Sequence, residues 1–237
     1  MGDIRTYLAE REARQTRGAE RGSGAAVLRH VSTWKMRQSA KVHATTILAP
    51  RERRRAERLA ETGPLRIHLG SGANRLPDWV NVDLVGMGPD LYWNVTRRLP
   101  FPDGSADAVF LEHVLEHFPL AVGLDLLAEG RRVLAPGGIL RVGVPDFGRY
   151  AESYAGDRAF LEERRPGRPT PLLAVAEVAY NHGHRSVWDG ETLELVLRET
   201  GLVDVRRRGF GESGLEPAPD SAEREAESVY AEGRTPS

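Results

Sequence analysis

Three groups of residues in this chain have types and spacings that can do chemistry. The first is Gly70-Ser71-Gly72, in LGSGAN, directly after the apolar run LRIHL (65–69). A strand that ends in Gly-x-Gly lets the backbone approach a ligand closely, and the amides that follow can face a carboxylate or phosphate. Asp83 ends the next apolar run, where a carboxylate can accept both ribose hydroxyls of a nucleoside. The second group is His113-Val114-Leu115-Glu116-His117, which has the H-x-x-E-H spacing of a zinc hydrolase. The third is Asn181-His182-Gly183-His184-Arg185, suited to lining an acceptor pocket or holding an anionic group.

Spacing narrows the first two. A dinucleotide fingerprint needs a further glycine three residues after Gly72, and Arg75 stands there. Its acidic residue lies ~20 residues beyond the first glycine, whereas Asp83 is only 13 beyond Gly70 (83 − 70). A nicotinamide or flavin site is therefore disfavoured. The metal reading of His113, Glu116 and His117 needs a long helix and a third ligand, yet Pro119 follows His117 by two residues. The expectation is that no residue here serves a metal, with a metal-dependent hydrolase kept as a rival reading.

These groups sit on elements that the rest of the chain must supply. LRIHL (65–69), WVNVDL (79–84), DAVFL (107–111) and GILRVGV (138–144) read as strands, and LAVGLDLLAEGRRVL (120–134) as a helix. That alternation predicts βαβ units around a parallel sheet covered on both faces. Asp189 is expected to cap a helix over GETLELVLRET that stops at Gly201, followed by strands in VDVRRRGF (203–210) and ESVYAEG (227–233). Residues 1–63 differ: they are rich in Arg, Glu and Ala, and Pro50 separates a loosely helical stretch from the charged helix RERRRAERLAETG. The chain thus divides into a helical N-terminal extension (1–63), read as a cap over the substrate site or a solvated arm, and an α/β domain (64–237).

Composition excludes several classes. With no cysteine there are no disulfides, thiol nucleophiles or Cys-bound zinc. A formal net charge of −1 calls for neither nucleic acid nor an anionic membrane as partner. No run approaches the ~20 apolar residues of a membrane span, and the charged start MGDIR argues against a secretory signal, so the expected location is cytoplasmic. Of 33 basic residues only Lys35 and Lys41 are lysines, which we read as base composition rather than function.

The run LRIHLGSGANRLPDWVNVDL, then LPFPDGSADAVFLEHVLEHF, then EGRRVLAPGGILRVGVPD resembles the class I S-adenosylmethionine-dependent methyltransferases, in their methyltransferase type 11-like branch. HRSVWDGETLELVLRETGLVDVRRRGFGES and EREAESVYAEG extend the likeness, which covers roughly residues 65–233. The resemblance implies a doubly wound, Rossmann-like seven-stranded sheet in the order 3-2-1-4-5-7-6, with the last strand antiparallel. It implies S-adenosylmethionine as cofactor, bound across the ends of strands 1 and 4. Gly70, Ser71 and Gly72 match the turn under its methionine part, with Ser71 where many relatives have cysteine. Asp83 matches the ribose-binding acid. Asn94 stands where many relatives have the aspartate that recognises adenine, Val95 adds a backbone contact, and Glu112 and His113 follow strand 4 where the cleft opens. His68 departs from the commoner acidic residue before the turn.

For the reaction, His113 is the candidate general base, since O-methylation removes a proton and an unperturbed imidazole titrates near ~6.5. His117, Asp146, His182, His184 and Arg185 are candidate acceptor contacts, with Asp146 equally suited to capping a helix. The acceptor implied is a sugar, glycolipid or secondary metabolite. The partners expected are a small-molecule or glycan acceptor without nucleic acid, and a homodimer is compatible. A non-catalytic cofactor-binding protein is the second rival.

Overall fold

The computed structural model describes Ile4, Thr6 and residues 34–84 and 88–237, with side chains described from Ile47 onward in that stretch. Seven strands form one sheet in the order β3-β2-β1-β4-β5-β7-β6: β1 (Leu65–Leu69), β2 (Val80–Asp83), β3 (Leu91–Tyr92), β4 (Ala106–Glu112), β5 (Leu134–Pro145), β6 (Val203–Arg208) and β7 (Ser228–Arg234). β3, β2, β1, β4 and β5 run parallel, and β7 is antiparallel to both β5 and β6. Direction reverses in sequence order between β1 and β4, so the carboxyl ends of β1 and β4 frame a crevice at the switch point, where such sheets bind ligands.

The central strands read as unbroken apolar runs because they are covered on both faces. Ile67, Leu69, Val109, Phe110, Leu111, Leu140, Val142 and Val144 are all buried. Each such side chain contributes about 1.5–3 kcal/mol against exposure. Helices α2 (Leu120–Val133) and α6 (Gly190–Glu199) pack against the sheet, while α3 (Phe147–Ala155), α4 (Ala159–Arg164) and α5 (Pro171–Tyr180) pack on one another around Tyr150, Leu161, Ala174 and Val178. In α2 the helical spacing of Leu126, Leu127, Gly130 and Val133 makes the buried face, and Gly130 lets the helix lie close over Leu140. Asp189 caps α6, accepting from Thr192 N at 2.8 Å.

Two local expectations change. Pro50 does not divide the N-terminal segment: α1 runs from Trp34 to Ala60 with Pro50 inside it. Proline removes one helical hydrogen bond, and here tertiary contacts hold the following turns in place. Ala56 is fully buried, and Glu52 Oε2 accepts from Tyr92 N at 3.2 Å, fastening α1 to β3. The described contact of α1 is therefore with the β3 edge, while Val27, Leu28 and Val31 lie outside the described residues. β5 also starts earlier than its apolar run, at Leu134, with a shift of register against β4 before Gly138.

A buried polar knot holds the C-terminal half. Arg141 is fully buried in β5, and its guanidinium donates to Asp220 (2.6 Å to Oδ1), to Glu232 (3.2 Å) and to the carbonyls of Gly209 and Glu212. It ties the polar stretch 209–221 down onto the sheet. Nothing in the spacing of GILRVGV marks this arginine as buried. Its partners are about 70–90 residues away in sequence.

Candidate functional site

The crevice begins where β1 ends. Gly70 N and Ser71 N donate to Val82 O at 2.8 and 3.2 Å, so the chain turns away from the sheet while still held to β2. Gly70 and Gly72 take φ of +72° and +54°, a region that glycine enters without the cost a side chain brings. A Cβ on Gly70 would meet Val114 Cγ2 at 2.4 Å, so the residue is glycine for space as well as for conformation. At Gly72 a Cβ would meet no atom within 4 Å, and that side of the turn faces open space. Asp83 Oδ2 accepts from Gly72 N at 2.8 Å, joining the turn to the carboxyl end of β2.

The short link between β1 and β2 is shaped by a residue that the motifs do not single out. Asn81 is buried; its amide donates to Leu76 O and Trp79 O at 3.0 and 2.9 Å, and its Oδ1 accepts from Leu76 N at 2.9 Å. The same oxygen lies 3.3 Å from His68 Nδ1. Burial depresses His68 to a pKa of about 4, so it is neutral at pH 7. An acid in its place would have to be buried beside Phe110, whose ring centroid is 5.1 Å away. Farther along, Asn94 Oδ1 accepts from Thr96 N and Thr96 Oγ1 at 3.1 and 2.8 Å, a local turn that presents the chain after β3. Val95 is buried in the core beside Trp93.

The second side of the crevice is the end of β4. Glu112 is not left for a ligand alone. Its Oε1 accepts from Ser221 N (3.1 Å) and Tyr230 OH (2.8 Å), and its other oxygen pairs with Ser221 Oγ. Gly143, between Glu112 and Tyr230 in the sheet, makes this reach available, because a Cβ there would meet the Tyr230 ring at 2.6 Å. Asn74 Nδ2 also donates to Ser221 Oγ, at 2.6 Å, so Ser221 joins the glycine turn, β4 and β7. Sequence reasoning missed Ser221 because it lies in a polar stretch with no periodic signal.

His113 follows with φ +55°, its backbone N–H on Gly143 O at 2.9 Å. Nε2 is 2.7 Å from Ser228 Oγ, and Nδ1 is 3.7 Å from Glu116 Oε1. Burial, aided by Arg224, lowers its pKa to about 3. A base is most effective when its pKa lies near the working pH, so this imidazole is a weak proton acceptor.

The H-x-x-E-H helix is not formed. Leu115–His117 is a single 3-10 turn after the left-handed His113, and Phe118 is already extended before α2. The turn instead meets the third group of residues. Glu116 O accepts from Arg185 N (2.7 Å) and Ser186 N (3.2 Å), bringing the loop after α5 across β4. His184 stands edge-on to His117, with centroids 5.0 Å apart, and its Nδ1 lies 2.7 Å from Val178 O. The Glu116 side chain is 2 % exposed, and both of its oxygens lack a hydrogen bond. Burial raises its pKa to about 8 and lowers that of His117 to about 4. His182 (φ +58°) and Arg185 are exposed on the rim. Asp146 caps α3, accepting from Arg149 N at 3.2 Å, which is the structural one of its two expected uses.

Residues 89–142, from β3 through most of β5, match the methyltransferase domain family. The fold is Rossmann-like, of the kind seen in class I methyltransferases, and its sheet has their 3-2-1-4-5-7-6 order. Among solved structures, it is similar to an S-adenosylmethionine-dependent methyltransferase from Archaeoglobus fulgidus, at 14% identity and TM-score 0.48, over 86% of this chain and 100% of that one. It is also similar to one from Thermotoga maritima, at 17% identity and TM-score 0.47, over 76% and 90% of the two chains. At these levels neither neighbour bears on substrate or partner. No curated protein matches the chain.

S-adenosylmethionine, the cofactor of the methyltransferases that the chain resembles, fits the residues present. The turn at Gly70–Gly72 is open at Gly72 and has a carboxylate at its side. Ser71 Oγ within it is buried without a hydrogen-bond partner, as is Trp93 Nε1 beside Asn94. A buried polar atom without a partner costs about 1–3 kcal/mol, a cost that a polar ligand relieves. No helix among the described residues is long and apolar enough to cross a membrane.

Proposed function

We propose that this protein transfers a methyl group to an oxygen of a small-molecule or glycan acceptor. The observation that carries the reading is the left-handed Gly70–Gly72 turn braced by Asp83 at the switch point of the sheet. S-adenosylmethionine would supply an electrophilic methyl on a sulfonium, its sulfur leaving as the neutral thioether of S-adenosylhomocysteine while the acceptor hydroxyl gives up its proton to solvent. Gly70, Ser71 and Gly72 hold its methionine part, Asp83 accepts the ribose hydroxyls, and Asn94 and Val95 receive the adenine. Glu112 acts on the cofactor side by holding Ser221 and Tyr230 in position rather than by direct contact. Most of the acceleration then comes from keeping the two reactants close and aligned.

His113 is a positioning residue in this reading, because both ring nitrogens face protein groups and its basicity is low. In this reading the acceptor meets the partly buried, ring-to-ring pair His117 and His184, with the exposed His182 and Arg185 outside them. The near-neutral net charge gives no call for a polynucleotide acceptor, which supports a small-molecule or glycan one. Calorimetric titration with S-adenosylmethionine, S-adenosylhomocysteine and NAD tests the cofactor. The first two should bind and the third should not, and heat from NAD alone would sink the reading. Incubation with sugar and polyphenol acceptors, scored for S-adenosylhomocysteine, tests the acceptor class.

A further inference from the structure

Glu116, which the methyl-transfer reading leaves without a role, converges with His117 and His184 on one point. Glu116 and His117 come from the turn after β4, and His184 from the loop after α5, some 67 residues later (184 − 117). One ligand-type atom from each lies within 4.8 Å of the others. Two of the three sit on backbone that is already cross-linked, through Glu116 O and the amides of Arg185 and Ser186. We propose that Glu116, His117 and His184 form a binding site for a divalent transition-metal ion of the zinc type.

Three features point to a cation rather than to a packed polar cluster. The Glu116 carboxyl is almost fully buried, and no donor reaches it. The imidazole nitrogens beside it, His113 Nδ1 at 3.7 Å and His184 Nε2 at 4.0 Å, are beyond hydrogen-bond range. A proton shared with either imidazole would therefore leave the other oxygen stranded. His184 has its Nδ1 on the Val178 carbonyl, the arrangement that fixes a ligating histidine with its Nε2 lone pair pointing inward. Arg224 does not substitute for a metal, since its guanidinium is shared with Glu227 at 3.6 Å.

Two imidazole nitrogens and one carboxylate suit zinc and its neighbours rather than magnesium or calcium, which prefer oxygen alone. Ligand atoms around tetrahedral zinc stand roughly 3.4 Å apart, so the three groups need only a small inward rotation. Three protein ligands leave a fourth position for water or an acceptor oxygen. The set differs from the H-x-x-E-H pattern: His184 replaces His113, whose Nε2 is taken by Ser228. The proposed site departs from the expectation that no residue here serves a metal.

The test uses the full chain without added histidines, stripped with a chelator and titrated with Co²⁺. One equivalent should develop the visible bands of four- or five-coordinate cobalt, and Zn²⁺ should displace them. Glu116→Gln and His184→Gln should abolish the bands while far-ultraviolet circular dichroism stays that of the wild type, and His182→Gln should retain them. The wild-type spectrum tests the site even if a variant fails to fold. A folded wild type that takes up neither Co²⁺ nor Zn²⁺ overturns the proposal. So do bands that survive His184→Gln but vanish in His113→Gln, which would move the ion to the H-x-x-E-H set. Cofactor titration in the same samples reports separately on the transfer reading, which this site does not require.

Discussion

The carboxyl ends of β1 and β4 lie side by side under one crevice, yet they are built in opposite ways. At β1 the geometry is local: Gly70, Gly72, Asn81 and Asp83 fall within fourteen residues (70 to 83), and each bonds to another part of the same short link. At β4 almost every partner is distant. Glu112 is held by Ser221 and Tyr230, His113 by Ser228, and Glu116 by the backbone at 185–186. The first end is a turn that its own residues specify. The second is an assembly that exists only once three remote segments have docked. A cofactor common to a family can use the first, whereas the second is free to vary with the acceptor.

The sharpest way to break this contrast is to touch a direct packing contact between the two ends, that of Gly70 with Val114. Gly70→Ala forces a left-handed φ and drives Cβ into Val114. Left-handed strain costs about 1–2 kcal/mol and overpacking about 1–3 kcal/mol, so denaturant unfolding should show a loss of about 2–5 kcal/mol. Gly72→Ala meets no atom within 4 Å and should lose only the strain, about 1–2 kcal/mol. Equal losses would show that the ends are not coupled through Gly70 and Val114.

The β1 end should also have its own weakness in acid. His68 is neutral in the fold, with a pKa of about 4, against 6.5 when exposed. Above pH 6.5 neither state binds the proton and the residue is silent. As pH falls from 6.5 toward 4 the unfolded chain takes up a proton that the fold refuses, and stability drops by up to about 3 kcal/mol. Thermal midpoints followed from pH 7 to pH 4 should therefore fall more steeply in the wild type than in His68→Gln. Parallel slopes would place the acid sensitivity at the other end.

Cofactor affinity separates the ends next. Asp83→Ala removes a charged hydrogen-bond acceptor worth about 1.5–3 kcal/mol, so the Kd for S-adenosylmethionine should rise roughly ten- to a hundredfold. His113→Gln should change that Kd by less than about threefold, since the residue faces Ser228 and Glu116. Comparable losses in calorimetry would make His113 part of the cofactor site and remove the distinction.

Much of the β1 end can be read before folding, because glycine spacing and a strand-terminal acid act within one turn of chain. The positions of β1, β2, β4 and most of β5 were equally legible from their apolar runs, as was the Asp189 cap, whereas the two-residue β3 is too short to give a pattern. The β4 end was legible in part. His113, Glu116 and His117 stand out by type and spacing, but their pattern suggested a helix. The left-handed His113 and the extended Phe118 allow only a turn. His184 stood out as well, in a group of its own, with nothing in its spacing to place it opposite Glu116. Pro50 misled in the other direction, since local propensity argued for a break and packing against β3 overrode it.

The sequence by itself determined the alternation of strands and helices, the glycine turn and its acid, and the absence of any cysteine chemistry. These follow from periodicity, backbone freedom and residue type, which act over a few neighbours. Tertiary structure alone decided that Arg141 is buried among Asp220 and Glu232, that Ser221 closes on Glu112, and that Glu116 meets His117 and His184. The reason is physical. A buried charge is tolerated only where partners arrive from elsewhere in the chain, and no local pattern states which partners those will be.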